Sequence, residues 1–207
     1  MKKVVEDPYI WQVSNSLTDE FCDKLVQKFE EDSEGKVYRG IVGSGVQTEI
    51  KETLDLAVSP SSEVWKKDDE FISNKIGECI NEYIEYITKC IPNVDFHNGI
   101  RNVTDSGYHI QRYEANKGFY TWHNDYSFEK DKGSRILTFI WYLNTVERGG
   151  ETEFTNGMKI KPEKGKLVMF PSTWTYTHRA CMPYSGEKYI LTGWIYNGWN
   201  DTCSMLD

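Results

Sequence analysis

Two side chains with metal-binding chemistry stand two residues apart in the middle of the chain, His123 and Asp125 on either side of Asn124. On a β-strand, residues two apart project from the same face. An imidazole nitrogen and a carboxylate oxygen placed in this way can bind one side of a metal ion. A bare H-x-D sequence arises easily by chance, so it predicts a metal site only if a third ligand joins it from elsewhere in the chain.

The third ligand is expected to be a further histidine, and the chain has four: His97, His109, His123 and His178. His178 lies beyond several strand-like runs, and a returning barrel strand can bring it beside the pair. Two histidines and one carboxylate with open positions form the ligand set of non-haem Fe(II) sites. His109 has no acidic neighbour at ligand spacing and His97 lies among turn residues, so we interpret both as structural.

Length and composition narrow the class of protein. The 207 residues predict a single domain over 1–207 with a sizeable core. The net charge of −8 disfavours a nucleic-acid partner. Five widely spaced cysteines without a C-x-x-C pair indicate reduced thiols. With no signal peptide and no apolar run of roughly 18–20 residues, we expect a cytoplasmic protein without membrane contact.

The elements that must position these side chains fall into a helical part and a strand-rich part. Residues 14–95 are expected to form a helical N-terminal support. Its first helix is capped by Ser16 or Thr18, and its second helix covers 68–90. Segment 35–62 is rich in glycine and is interpreted either as a surface loop or as an active-site lid.

After residue 99 the hydrophobic pattern changes to the alternation of β-strands. We predict strands near 107–114, 119–123, 135–144, 152–155, 158–161, 166–170, 176–181 and 188–197, and an entry strand within 4–13. Eight short strands after two helices predict a mainly β fold with flanking helices (α+β). The expected architecture is a jelly-roll barrel over about 100–197, buttressed by the N-terminal helices.

Five motifs follow one another in the strand-rich part. They are H-x-D at 123–125, Y-L-N at 142–144, G-G-x-T-x-F at 149–154, G-x-L-V-x-F-P at 165–171, and the distal His178. In this order they resemble the 2-oxoglutarate- and Fe(II)-dependent oxygenases of the prolyl 4-hydroxylase type. The resemblance covers roughly 107–196, and the N-terminal helices match more loosely. It implies a double-stranded β-helix in which His123, Asp125 and His178 are the catalytic iron ligands.

The resemblance also implies a pocket for 2-oxoglutarate. Lys188 matches the cation that pairs with the buried distal carboxylate, a charge that is costly to bury alone. Trp194 lies on the same face of its strand as Lys188 and is expected to wall this pocket. Further positions that match the cosubstrate site are Tyr142, Thr138 and Tyr113, the last of which stands one residue further from the histidine than in some relatives.

The chemistry implied is hydroxylation of an unactivated C–H bond with Fe(II), 2-oxoglutarate and O2, with release of succinate and CO2 and with ascorbate as reductant. The best motif match favours a prolyl residue in a peptide or protein as substrate. Two alternatives stay open: the same chemistry on a free amino acid, another small molecule or a nucleobase, and a non-catalytic jelly-roll binding module. Substrate choice is expected to reside in 35–62 and 126–134.

Overall fold

Two α-helices and thirteen strands make up the part of the chain that the structure, a computed structural model, describes: residues 7–93 and 103–197. The elements in chain order are β1 (Trp11–Val13), α1 (Asp19–Glu31), β2 (Tyr38–Arg39), β3 (Lys51–Glu52), β4 (Leu54–Val58), α2 (Lys66–Cys90), β5 (Val103–Tyr113), β6 (Phe119–His123), β7 (Phe128–Glu129), β8 (Gly133–Tyr142), β9 (Thr152–Phe154), β10 (Lys159–Ile160), β11 (Leu167–Pro171), β12 (His178–Ala180) and β13 (Lys188–Asn197). Within these residues, no helix is long and apolar enough to cross a membrane.

Both helices form because each carries one apolar face and a suitable start. Thr18 caps α1, its hydroxyl accepting a hydrogen bond from the backbone N–H of Phe21 at 3.2 Å. The buried side of α2 carries a stripe at helical spacing that includes Ile72, Ile76 and Tyr83. These faces pack in one hydrophobic core with one face of the larger sheet. The predicted pair of supporting helices is therefore confirmed.

The strands form two antiparallel sheets. The major sheet has the order β1-β11-β8-β13-β5-β4-β2, with β7 paired to β8, and the minor sheet has the order β10-β9-β12-β6-β3. A second core joins the two sheets, and it includes Ile140 and Ile190 of the major sheet with Phe154 and Ile160 of the minor sheet. Neighbouring residues on one strand, such as Ile140 and Trp141, enter opposite cores as strand alternation requires. The predicted mainly β architecture is confirmed.

The segment 35–62 differs from the interpretation as a loop. It contributes β2, β3 and β4, of which β4 pairs with β5 in the major sheet and β3 pairs with β6 in the minor sheet. β4 carries the apolar alternation of a strand at Leu54, Leu56 and Val58, and Leu56 and Val58 enter the hydrophobic core. Its other face is also buried but charged, because Asp55 forms an ion pair of 2.6 Å with Lys51; this charged face and the surrounding glycines obscure the pattern.

The entry strand is shorter than expected. It is β1 (Trp11–Val13), which pairs with β11 at the edge of the major sheet. Residues 4–6 of the expected strand, and His97, lie outside the described residues.

Candidate active site

Adjacent strands of the minor sheet bring the two candidate histidine ligands together. His123 at the end of β6 and His178 at the start of β12 are direct partners in the antiparallel register, with ring centroids 4.3 Å apart. Asp125 follows β6, and its carboxylate oxygens lie 3.9 Å from Nε2 of His123 and 3.7 Å from Nε2 of His178. One ligand atom from each of the three residues lies within 4.8 Å of the others. The three predicted ligands therefore form one cluster.

Backbone hydrogen bonds orient both imidazoles toward the centre of this cluster. Nδ1 of His123 lies 2.7 Å from the carbonyl oxygen of Thr121, and Nδ1 of His178 lies 3.0 Å from that of Tyr176. Since a carbonyl accepts only, each Nδ1 carries the proton and each Nε2 keeps its lone pair. Outer contacts of this kind fix the tautomer of metal-binding histidines.

The carboxylate of the cluster is held from the major sheet. The hydroxyl of Thr138 donates to Oδ2 of Asp125 at 2.9 Å, and it also lies 2.8 Å from the hydroxyl of Ser172. Thr138 was matched to the cosubstrate pocket from the sequence, and its side chain does line the cleft. Its direct contact in the structure is with Asp125.

The charge states of the cluster suit a metal ion. Burial, together with the neighbouring His178, lowers the pKa of His123 to about 4. Burial opposes ionisation of Asp125, but the two histidines and the Thr138 hydroxyl outweigh it and lower the pKa of this carboxyl. A neutral imidazole and an ionised carboxylate are the forms that bind a metal. Two nitrogen donors and one oxygen donor fit Fe(II) and leave open positions on the ion.

A buried cation lies at the other end of the same cleft. Lys188, on β13, is 1% exposed, donates to the carbonyl of Gly150 at 3.1 Å, and places Nζ 4.0 Å from the centre of the Tyr113 ring. Burial lowers its pKa to about 7. Among the described residues no carboxylate lies within ion-pair distance of Nζ. A buried ammonium without a counter-ion is costly, so this end of the cleft fits an anionic ligand.

The backbone geometry at the Lys188 end of the cleft requires the two glycines of the G-G-x-T motif. Gly149 and Gly150 have φ values of +78° and +77°, which disfavour residues with a Cβ atom. A Cβ atom on Gly149 would stand 2.3 Å from the carbonyl oxygen of Met182. The turn therefore depends on both glycines, and it presents the Gly150 carbonyl to Lys188.

Most of the other predicted residues also reach the cleft, whose empty space, including the part that is open to solvent, is about 440 Å³. Tyr113 and Trp194 line it. Tyr142 does not: it is fully buried behind the wall, and its hydroxyl lies 2.6 Å from that of Thr152, which does line the cleft. The place in the wall expected of Tyr142 is therefore occupied by its hydrogen-bonded neighbour, Thr152.

Several further residues of the wall were not predicted from the sequence. They are Gln111, Tyr120, Ile140, Thr152, Ala180, Ile190 and Thr192. The sequence does contain a pattern that predicts most of them, because strand alternation places Gln111 on the same face as Tyr113 and Ile190 on the same face as Lys188. Thr152 is the threonine of the G-G-x-T motif. Tyr120, whose ring stacks on His123 at 3.5 Å, gave no such signal.

His109 stands apart from the ligand cluster. Its Nδ1 lies 3.2 Å from the hydroxyl of Tyr38, and its ring centroid lies 6.0 Å from that of Trp194. Burial lowers its pKa. These contacts agree with the interpretation of His109 as a structural residue.

Comparison with known proteins finds that this chain is similar to one class of proteins. Residues 108–196 match the family model described as the 2OG-Fe(II) oxygenase superfamily. Among curated relatives, the probable prolyl 4-hydroxylase 6 of Arabidopsis thaliana is 26% identical over 87% of this chain and 66% of its own length. The chain spans 40% to 66% of the length of the first such relatives.

Solved structures show the same fold. The viral collagen prolyl hydroxylase of Paramecium bursaria Chlorella virus-1, in complex with 2-oxoglutarate, aligns over 91% of this chain and 96% of its own, with a TM-score of 0.64 and 22% identity. A prolyl hydroxylase of Trichoplax adhaerens, in complex with a hypoxia inducible factor peptide fragment, aligns over 91% and 84%, with a TM-score of 0.67 and 17% identity. At these identities the structural likeness establishes the jelly-roll fold.

Residues 108–196 therefore match the 2OG-Fe(II) oxygenase superfamily, a class named for its Fe(II) and its 2-oxoglutarate. Within that class the chain is similar to prolyl 4-hydroxylases, in agreement with the resemblance that its motifs indicate.

Proposed function

We propose that the chain is an Fe(II)- and 2-oxoglutarate-dependent dioxygenase that hydroxylates a prolyl residue in a peptide or protein. In the balanced reaction one O2 and one 2-oxoglutarate give succinate and CO2, while the substrate C–H bond becomes C–OH. Ascorbate serves as the reductant that keeps the iron in the Fe(II) state. The family and the curated relatives support this reaction, and the geometry of the cleft supports the roles given to individual residues.

The single observation that carries the proposal is the pairing of two sites in one cleft. A cluster of two histidines and one aspartate lies at one end, and at the other lies a buried lysine that has no carboxylate within ion-pair distance among residues 7–93 and 103–197. A dicarboxylic 2-oxo acid has matching ends, since its 2-oxo acid group chelates a metal and its distal carboxylate needs a cation. In this proposal His123, Asp125 and His178 hold Fe(II), and Lys188 binds the distal carboxylate.

Bound Fe(II) supplies the redox chemistry that couples O2 and 2-oxoglutarate to C–H oxidation. The protein residues position the reactants. Thr121 and Tyr176 keep both imidazoles in the metal-binding tautomer through their backbone carbonyls. Thr138 orients the carboxylate of Asp125. Tyr113 walls the cosubstrate end beside Lys188, whereas Trp194, the register partner of Thr138, walls the metal end; both exclude water from the cleft.

A peptide substrate is supported by the surface around the metal ligands. Trp122 and Tyr126 flank the H-x-D sequence, and Trp174 precedes His178; these three side chains are 44%, 55% and 73% exposed. A proline-bearing segment is stiff and extended, so it loses little conformational entropy when it packs on aromatic side chains.

The proposal is tested by incubating the purified protein with Fe(II), ascorbate, 2-oxoglutarate and a panel of proline-bearing peptides, free amino acids and nucleobases. We expect succinate formation, and a mass gain of one oxygen atom on proline in at least one peptide. The same peptide with alanine in place of that proline is the matched control. Hydroxylation of only a free amino acid or a nucleobase would contradict the prolyl substrate, and absence of succinate with every compound would contradict the dioxygenase reaction.

A further inference from the structure

A row of polar side chains crosses three strands of the major sheet and ends at the buried cation. Asp55 on β4 is the register partner of Gln111 on β5. Tyr113 lies two residues further on the same face of β5, opposite Lys188 on β13. Nε2 of Gln111 donates to Oδ2 of Asp55 at 3.4 Å, and the hydroxyl of Tyr113 donates to Oε1 of Gln111 at 3.0 Å. The Tyr113 ring then contacts Lys188.

The far end of this row fixes the direction of its hydrogen bonds. Asp55 pairs with Lys51 at 2.6 Å and accepts a second hydrogen bond from Thr53 at 2.7 Å. A carboxylate paired with an ammonium only accepts, so the NH2 group of Gln111 must face Asp55. The amide oxygen of Gln111 then faces Tyr113, whose hydroxyl must donate.

This direction affects the ring that meets Lys188. A phenol that donates its proton into a chain ending on a carboxylate becomes more electron-rich. The face of such a ring attracts an ammonium more strongly. Both Gln111 and Tyr113 are more than nine-tenths buried, so the contact is held in one geometry.

We propose that Gln111, anchored on the Lys51–Asp55 ion pair, is a positioning residue of the cosubstrate site that holds the Tyr113 ring against Lys188. This inference rests on the proposed function, because it assigns the oriented ammonium to the distal carboxylate of 2-oxoglutarate. It also gives the strand segment 51–58 a role in cosubstrate binding. Gln111 acts through Tyr113, and Asp55 acts through Gln111.

The test compares two ligands on the Fe(II)-loaded protein in the absence of O2, with affinities measured by isothermal titration calorimetry. 2-Oxoglutarate spans both ends of the cleft, whereas oxalate chelates the metal and has no group that reaches Lys188. Gln111→Met keeps the length of the side chain and removes both hydrogen bonds. Since one hydrogen bond contributes about 0.5–1.5 kcal/mol, we expect a loss of roughly three- to tenfold for 2-oxoglutarate and unchanged oxalate affinity.

Tyr113→Phe removes the hydroxyl that donates to Gln111, and this variant should weaken 2-oxoglutarate binding to a similar degree. The double variant Gln111→Met/Tyr113→Phe should bind like Tyr113→Phe alone, because Gln111 acts through that hydroxyl. The matched control is Tyr108→Phe. Tyr108 is a buried tyrosine of the same strand whose hydroxyl bonds to Asp105 at 2.9 Å, away from the cleft, and its loss should leave both affinities unchanged.

The outcomes separate this inference from the function on which it rests. Absence of Fe(II)-dependent 2-oxoglutarate binding to the wild-type protein would overturn both. Normal binding that Lys188→Ala abolishes but Tyr113→Phe leaves intact would overturn the positioning role alone. Equal losses for 2-oxoglutarate and oxalate would also overturn it, since they would reveal general damage to the site. If the Gln111→Met variant does not fold, the 2-oxoglutarate and oxalate affinities of the Tyr113→Phe variant still test the positioning role.

Discussion

The two ends of the cleft are built on different sheets and differ in exposure. The metal cluster stands on short strands of the minor sheet, β6 with five residues and β12 with three, and the side chains of His123 and Asp125 stay 15% and 10% exposed. Lys188 and Tyr113 stand on β13 and β5, strands of ten and eleven residues in the major sheet, and are almost fully buried. One end is accessible and the other is enclosed.

This difference follows from what each end has to do. Metal ligands must admit an ion and leave positions open for exchange, so their orientation is set by backbone carbonyls behind them while their front stays accessible. A cation that selects a carboxylate gains strength from low dielectric, so it is best placed where water is excluded. The cost is an ammonium held without a counter-ion until the ligand arrives.

The largest effect should come from the metal end. His178→Ala removes one of three ligands, and we expect both Fe(II) binding and succinate formation to fall below detection. Metal content of the purified variant and succinate release measure this directly. Full turnover by the His178→Ala variant would show that the cluster is not the metal site.

At the enclosed end, Lys188→Ala should separate the two functions. Loss of one partner from a buried charge pair costs on the order of 3–5 kcal/mol, so the 2-oxoglutarate requirement should rise steeply. Fe(II) affinity should stay nearly unchanged because Lys188 does not contact the metal ligands. Lys166→Ala is the matched control, since Lys166 is also buried but pairs with Glu163 at 2.8 Å outside the cleft. An unchanged requirement would place the anchor elsewhere.

A smaller effect is expected where the two sheets meet. Thr138→Val keeps the shape of the side chain and removes the hydrogen bond to Asp125. Loss of such an outer contact typically costs about 10- to 100-fold in metal affinity. Fe(II) titration of the variant measures it, and an affinity equal to that of the wild-type protein would show that Asp125 needs no support from the major sheet.

The two ends also differ in how far the sequence alone predicts them. Types and spacing make His123, Asp125 and His178 candidates, because only four histidines were available, and the family resemblance then selects these three. Lys188 came from the family resemblance, since nothing in its local sequence distinguishes it from a solvent-exposed lysine. Tyr142 shows the limit of assigning a role from a matched motif position. It lies on the expected strand, but the residue that lines the cleft is its hydrogen-bonded neighbour Thr152.

The strands at 51–58 show a different limit. One face of β4 is apolar, but the other buried face holds Asp55, which is stable there because it pairs with the buried Lys51 and accepts a hydrogen bond from Thr53. Such pairing depends on three-dimensional proximity, which a pattern of hydrophobic residues does not encode. The Gln111 contact to Asp55 was hidden for the same reason.

The last effect, at most about tenfold for each pH unit, is a pH dependence that arises at the enclosed end. Burial lowers the pKa of Lys188 to about 7, and electrostatic interactions with Cys181 and Glu151 act in the opposite direction. The tyrosines that face Lys188, Tyr113 and Tyr142, have pKa values raised by burial. Below pH 7 both the folded and the unfolded chain carry this proton. Above pH 7 only the unfolded chain does, so the contribution of Lys188 to the free energy of unfolding rises with pH until the lysine's ordinary pKa of 10.5.

Cosubstrate binding should show the opposite trend, because a bound carboxylate requires the charged lysine. Above pH 7 the wild-type protein must take up a proton as it binds, and its 2-oxoglutarate affinity should fall by up to about tenfold per pH unit. The most informative comparison is the Lys188→Arg variant. Its guanidinium stays protonated over the whole pH range, so the variant keeps a cation but takes up no proton at this position when 2-oxoglutarate binds. Calorimetric titrations in buffers of different ionisation enthalpy count the protons taken up. Equal proton uptake by the wild-type protein and the Lys188→Arg variant would mean that the metal end, and not the enclosed lysine, sets the pH dependence.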